Sequence, residues 1–194
     1  SNDCPWQPYV LSRSGGDIKA EFNWTYHFFW GLEDIIGNFQ DVWAQVPNNK
    51  VVGALWPNDA DGNAYRGEFG PALTANGFQV IDPGAYQNAT EDFTAQINAF
   101  KTAGCEIITG VPIPPDATNF MKQASQQGLK PKIITLAKAL LFPQSVEALG
   151  DIGNGLTTEI WWTPRHPFKS SLTGETCAEL AADFEAKTNS QWTQ

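Results

Sequence analysis

Short apolar runs recur along this chain at nearly constant spacing. They begin near Val51, Phe78, Glu106, Lys132 and Leu156, so each start follows the last after 24 to 28 residues. A run such as Val51-Val52-Gly53-Ala54-Leu55-Trp56 suits a strand buried on both faces of a parallel sheet. Helical spacing fills the intervals. Tyr65, Phe69 and Leu73 lead to Gly77, and Phe93, Ile97 and Phe100 to Gly104. Phe120, Met121 and Ala124 lead to Gly128. Strand and helix alternating at this interval predict a parallel sheet with helices on both faces. Right-handed crossovers then leave a doubly wound arrangement. A further helix over 31–46, carrying Leu32, Ile35, Ile36, Phe39 and Trp43, completes the set. The fold class expected is α/β: a doubly wound, mostly parallel five-stranded sheet in the flavodoxin-like order 2-1-3-4-5.

Several local features follow. After the first strand, Pro57-Asn58-Asp59-Ala60-Asp61-Gly62 stops the chain and offers side-chain oxygens to cap a helix. Pro71 predicts a kink or two short helical pieces there. Thr90 is read as a helix start, with Glu91 and Asp92 in the first turn where the dipole favours acids. Asp116 is read as an N-cap, and shorter helices are expected over 144–149 and 178–187, the second after a Pro- and Ser-rich loop at 163–176. Residues 1–28 read as irregular or extended, punctuated by Pro5, Pro8 and Gly15-Gly16. The aromatic run Trp24-Thr25-Tyr26-His27-Phe28-Phe29-Trp30 reads as a strand or as an apolar surface that meets another body.

Composition excludes some functions. Across 194 residues the net charge is −9, which opposes sequence-independent nucleic-acid binding. No apolar run approaches the roughly 20 residues that span a bilayer. No leader is visible, so the chain is either cytoplasmic or has lost one. Cys4, Cys105 and Cys177 are too far apart for a metal or redox motif. Cys105 reads as a small buried residue, while Cys4 and Cys177 are read either as a pair or as free thiols.

Ligands of an open parallel sheet bind outside the carboxyl ends of its strands. Those ends are 58–62, 83–88, 111–116, 136–139 and 161–166. The first lacks a glycine-rich phosphate cradle, and Asp59 and Asp61 would repel a phosphate. Asp59 reads as a helix cap and Asp61 as a cap or a ligand contact. Pro112-Ile113-Pro114 makes a stiff, apolar wall. Lys138 interrupts an apolar run at a strand end, where it either holds an anionic group or snorkels to water. Trp161 and Trp162 alternate across the sheet, so one of them should face the strand-end cleft. Enzyme signals are weak. Glu159 is the only charge in the fifth strand, and His27 and His166 lie far apart in sequence. His166 neighbours Ser170 and Ser171, but no Gly-x-Ser-x-Gly elbow and no metal-ligand spacing occurs. Neither a cofactor nor a metal is expected.

Combined, 57–62, the downstream Thr90-Glu91-Asp92-Phe93-Thr94-Ala95-Gln96-Ile97, Ala103-Gly104-Cys105 before an apolar strand, and Gln123-Ala124 with Gly128-Leu129 carry a resemblance. Over roughly 24–188 the chain resembles type I solute-binding proteins of ABC importers, in their branched-chain amino-acid-binding cluster. The resemblance implies a non-enzymatic, periplasmic or extracellular protein whose two lobes close on a small molecule and deliver it to an ABC permease. It implies that 31–188 form the second lobe, with the first lobe absent. Residues 1–30 would then lie near the hinge, and 189–194 would be a tail returning to it. At or near the positions that the family uses for its ligand, and among the aromatic residues facing the cleft, the candidate ligand-binding residues are Asp61, Pro112, Ile113, Lys138, Trp162 and Trp30.

Amino-acid-binding members resemble one another in an aromatic residue before the glycine of the first loop, where this chain has Asp61. They carry an acidic residue after the fourth strand, where it has Ala137 and Lys138, and a tyrosine in the third loop, replaced by Pro112-Ile113-Pro114. Lys138 in place of a carboxylate suits an acid without an amino group, aromatic in view of Trp30 and Trp162. Two other classes use the same strand-end edge: a flavodoxin-like or hydrolase-type enzyme domain, and the sensing domain of a receptor or regulator.

Overall fold

The computed structural model describes residues 6–25 and 30–192. Among these, five parallel strands form one sheet: β1 Val51–Leu55, β2 Gln79–Ile81, β3 Ile107–Gly110, β4 Ile133–Leu136 and β5 Leu156–Thr157, in the order β2-β1-β3-β4-β5. Both the strand starts and the order are those the spacing predicts. The helices are α1 Trp6–Ser14, α2 Leu32–Ala44, α3 Ala60–Ala64, α4 Gly70–Ala75, α5 Thr94–Ala103, α6 Pro114–Gln126, α7 Pro143–Leu149 and α8 Cys177–Thr188.

Strand side chains alternate, and each face has its own core. Val52, Ala54, Ile107 and Ile133 point toward α2 and the α3–α4 segment, meeting Phe39, Trp43, Phe69 and Leu73. Leu55, Ile108 and Leu136 point the other way, onto Phe93, Phe100, Phe120 and Leu149. Phe93, Phe100 and Phe120 join edge to face, with centroids 5.7 and 6.3 Å apart. The buried Trp43 indole donates to Thr135 Oγ1 at 2.9 Å, so α2 is keyed to β4 by a satisfied polar contact.

Pro71 has the effect anticipated. A π-helical turn, Tyr65–Phe69, separates α3 from α4, and the Gly70 N–H reaches back five residues to the Tyr65 carbonyl. The wider turn accommodates a proline that has no N–H to give, and Tyr65, Phe69 and Leu73 stay buried on one side. Helix stops are regular. At Gly104, with φ +66°, the Cys105 N–H bonds the Phe100 carbonyl and Gly104 N–H the Lys101 carbonyl. The same pair of bonds closes α4 at Gly77 and α6 at Gly128.

Four expectations are corrected. Residues 6–14 are helical, not irregular: Pro8 falls in the first turn, where no N–H is required. The helix after Thr90 starts at Thr94, leaving Glu91 and Asp92 outside it, because the Phe93 N–H goes to Gln123 Oε1 and the Thr94 N–H to Asp92. Asp116 does not cap its helix. It lies inside α6 behind Pro114 and Pro115, and its buried carboxylate accepts the Ala89 N–H at 3.1 Å. Finally, β5 is only two residues long, so Trp161 and Trp162 follow the strand and do not alternate within it. The helices near 144–149 and 178–187 occur as expected, α8 with a capping box from Thr176 and Glu179.

Cys105 is buried, and burial pushes its thiol up to about 11. Cys177 Sγ faces the Phe168 carbonyl at 3.8 Å, whereas the alternative of pairing with Cys4 lies outside the described residues. So do residues 26–29 of the aromatic run. Of its described members, Trp24 is 92% exposed and Trp30 packs edge-on against Trp161 at 6.2 Å.

Candidate functional site

The carboxyl ends of all five strands open on one edge, and the connections above it are stitched together. The Asn58 N–H donates to the Tyr86 carbonyl at 2.7 Å, joining the β1 and β2 exits. Asp59 caps α3 through the Gly62 N–H at 2.8 Å and also accepts the Asn88 amide at 2.9 Å. The turn depends on Gly62, since a Cβ there would lie 2.0 Å from the Pro57 carbonyl oxygen. Beneath it, Arg66 pairs with Asp82 at 2.6 Å and lies over the Trp56 ring.

Lys138, just after β4, is the centre of the edge. Its ammonium reaches past the β3 exit to pair with Asp61, and it lies 4.0 Å from Asp59. Pro112 and Ile113 follow that exit, Pro112 buried and Ile113 half-buried as the N-cap of α6. Four of the six anticipated ligand residues therefore share one edge. Lys138 has φ +51°, an uncommon backbone state for a side-chain-bearing residue, and its N–H donates to Glu159 Oε1 at 3.1 Å.

The electrostatics are mixed. Desolvation alone would raise Asp59, but the Gly62 N–H, the Asn88 amide, Lys138 and the Asp61 N–H outweigh it and hold the carboxyl below its usual range. Desolvation dominates at Glu159, which is pushed up to about 7 against the opposing pull of Trp161 and the Lys138 N–H; Asp61 pushes the same way as burial. Burial, with Glu159 and Asp61 nearby, raises the Tyr65 phenol far above its ordinary value.

The aromatic residues divide differently from the expectation. Trp30 pairs with Trp161, beside Glu159, while Trp162 stacks edge-on against Trp192 at 5.4 Å and lines a separate hollow with His166 and Phe168. Trp30 and Trp162 thus each have a different aromatic neighbour. Sequence reading weighs Glu159 only as a weak enzyme signal, because its partner is 21 residues away and only the β4–β5 adjacency joins them. Its place as the lone charge in the apolar stretch expected to be the fifth strand is the available signal, although β5 ends at Thr157 and Glu159 follows it. Among the described residues no cluster suits a metal ion, and no helix is long and apolar enough to cross a membrane.

Comparison with known proteins places this geometry in context. The chain shares its fold with a leucine-binding protein from Thermotoga maritima at 18% identity and TM-score 0.66, covering 83% of this chain and 45% of that one. A branched-chain amino-acid ABC transporter periplasmic ligand-binding protein from Burkholderia xenovorans matches at 21% identity and TM-score 0.66, over 86% and 42%. A branched-chain amino-acid ABC transporter from Thermus thermophilus, solved with bound valine, matches at 17% identity and TM-score 0.70, over 95% and 45%. This chain thus spans less than half the length of these structures. Among curated proteins none matches. The profile described as periplasmic binding protein matches residues 7–194, nearly the whole chain. The chain belongs to the periplasmic binding protein family, whose members bind solutes and are not enzymes, and its fold is that of a type I lobe.

Proposed function

We propose that the strand-end edge is one wall of the ligand cleft of an extracytoplasmic solute receptor, serving an ABC-type importer. A second lobe supplies the facing wall, and 31–188 form the lobe described here. Residues 1–30 and 189–194 lead toward the hinge. Family membership and the names of the structural neighbours support this reading, as does their roughly twofold greater length.

The Lys138–Asp61 ion pair carries the choice of ligand. Lys138 is already matched by Asp61 and flanked by Asp59, so it is not an idle cation awaiting an anion. A plain carboxylic acid would have to take Lys138 from Asp61 and leave two carboxylates beside a third. A zwitterion exchanges the pair without that cost: its carboxylate takes Lys138 and its ammonium takes Asp61. The Lys138–Asp61 pair therefore favours an amino acid over the aromatic acid suggested by Lys138 in the sequence. Ile113, half-buried at the β3 exit, offers an apolar contact for the ligand's body.

The test is a thermal-shift and calorimetric screen of the full-length protein against amino acids and the corresponding acids without the amino group. Amino acids should stabilise it selectively. Asp61→Asn should weaken their binding by about 10- to 100-fold, as expected for losing a charge-assisted hydrogen bond worth about 1.5–3 kcal/mol. Selective stabilisation by the deaminated acids, unchanged in Asp61→Asn, would overturn the ligand assignment.

A further inference from the structure

A cavity of about 310 Å³ lies off the strand-end edge, between α2 and the chain leaving β5. Its size is at the small end of the range for small-molecule pockets, roughly 300–1,000 Å³. Ile35, Phe39 and Val42 of α2 form one wall, Ile160 faces them, and Trp30 closes an end. Such walls suit a compact aromatic or branched-aliphatic body.

The polar groups are mostly acceptors. Thr157 Oγ1 donates to the Ile134 carbonyl at 3.0 Å, which leaves Thr135 to donate across their 2.8 Å contact. Thr158 Oγ1 donates to the Leu136 carbonyl at 2.7 Å. The hydroxyl protons around the cavity are therefore committed to the protein. The charged groups lining it are two carboxylates, Glu159 and Asp34, and no cation is among the lining residues. Asp34 uses one oxygen to accept the Gly31 N–H at 3.0 Å, and Asn38 stands beside it on α2. Two carboxylates facing one another across apolar walls, with the Asn38 amide able to donate or accept, select a cation on a greasy body.

We propose that this cavity is a second ligand pocket, for a small primary amine with an aromatic or branched-aliphatic body, and that the Glu159 carboxylate holds its ammonium group. The pocket goes beyond the cleft reading and does not depend on it. Glu159 joins the two places, because the same carboxylate accepts the Lys138 N–H. The charged and titratable groups facing it are Asp34 across the cavity, Lys138 after β4, and Asp61 and Tyr65 from the α3 side. An ammonium ion in the pocket compensates a carboxylate that burial otherwise disfavours, so binding requires Glu159 ionised.

Calorimetry and methyl NMR of the full chain with 2-phenylethylamine and 3-methylbutylamine test this, with 3-phenylpropionate as an anion of similar shape. Both amines should bind and perturb the Ile35 and Ile160 methyls. Their affinity should rise about tenfold from pH 6 to pH 8, as Glu159 ionises while the amines stay charged. Glu159→Gln should weaken binding at pH 8 at least about tenfold and flatten the pH profile. Val42→Trp, or Asn38→Trp where the first does not fold, should fill the cavity and abolish binding. Equal binding of 3-phenylpropionate, or unchanged affinity in Glu159→Gln, would overturn the proposal. So would perturbations confined to 58–62 and 138–139. The cleft reading is scored by amino-acid binding at that edge, so either can fail alone.

Discussion

At the scale of single residues, Glu159 makes the sharpest claim about stability. Its folded value of about 7 lies above the ordinary carboxylate value of 4.5, so between those limits the native state binds more protons than the unfolded chain. Stability from this group is therefore full below about pH 4.5 and lost as pH rises through about 7. Melting temperatures of the wild type and Glu159→Gln, measured from pH 5 to pH 8, should diverge with rising pH, the variant becoming relatively more stable. A constant difference would mean that Glu159 titrates like a surface acid. Gly62 makes a steric claim. Gly62→Ala places a methyl group against the Pro57 carbonyl and should cost about 1–3 kcal/mol in denaturant unfolding. A neutral result would show that the turn relaxes freely.

At the scale of elements, Asp116 clamps the β2–α5 connection to α6 through Ala89, itself in a left-handed conformation with φ +64°. Asp116→Ala should speed hydrogen exchange at the Ala89 and Phe93 amides and destabilise the fold by about 1–3 kcal/mol. Unaltered exchange there would remove the clamp. This contact also marks where sequence reading stops. The strands, their order and the stripes of α2, α5 and α6 were legible because spacing alone reports burial. Asp116 reads as a cap because an acid behind two prolines looks the same in sequence whether it bonds its own helix or a loop 27 residues away. The length of β5 is equally hidden: Trp161 and Trp162 both lie beyond its end, Trp161 against Trp30 and Trp162 against Trp192. Asp61 and Lys138, 77 residues apart, were each singled out, but their pairing emerged only once β1, β3 and β4 lay side by side.

At the scale of the whole molecule, the sheet presents a stitched, charged edge at its carboxyl ends and a buried core on each face. Solute-binding relatives share this fold over less than half their length. If closure of two lobes creates the complete site, this chain alone should bind the cognate amino acid at least about 100-fold more weakly than the full-length protein, since half the contacts and most of the desolvation are missing. Comparable affinity would show that the edge needs no facing wall.

Chemical-shift mapping on the full-length protein tests the central claim most directly, using the amino acid that stabilises it most. The largest perturbations should fall at Asp61, Gly62, Ile113 and Lys138, with the Lys138–Asp61 pair exchanged for ligand contacts. Perturbations confined to the opposite end of the sheet, around Asn48, Lys50 and Phe78, would contradict it.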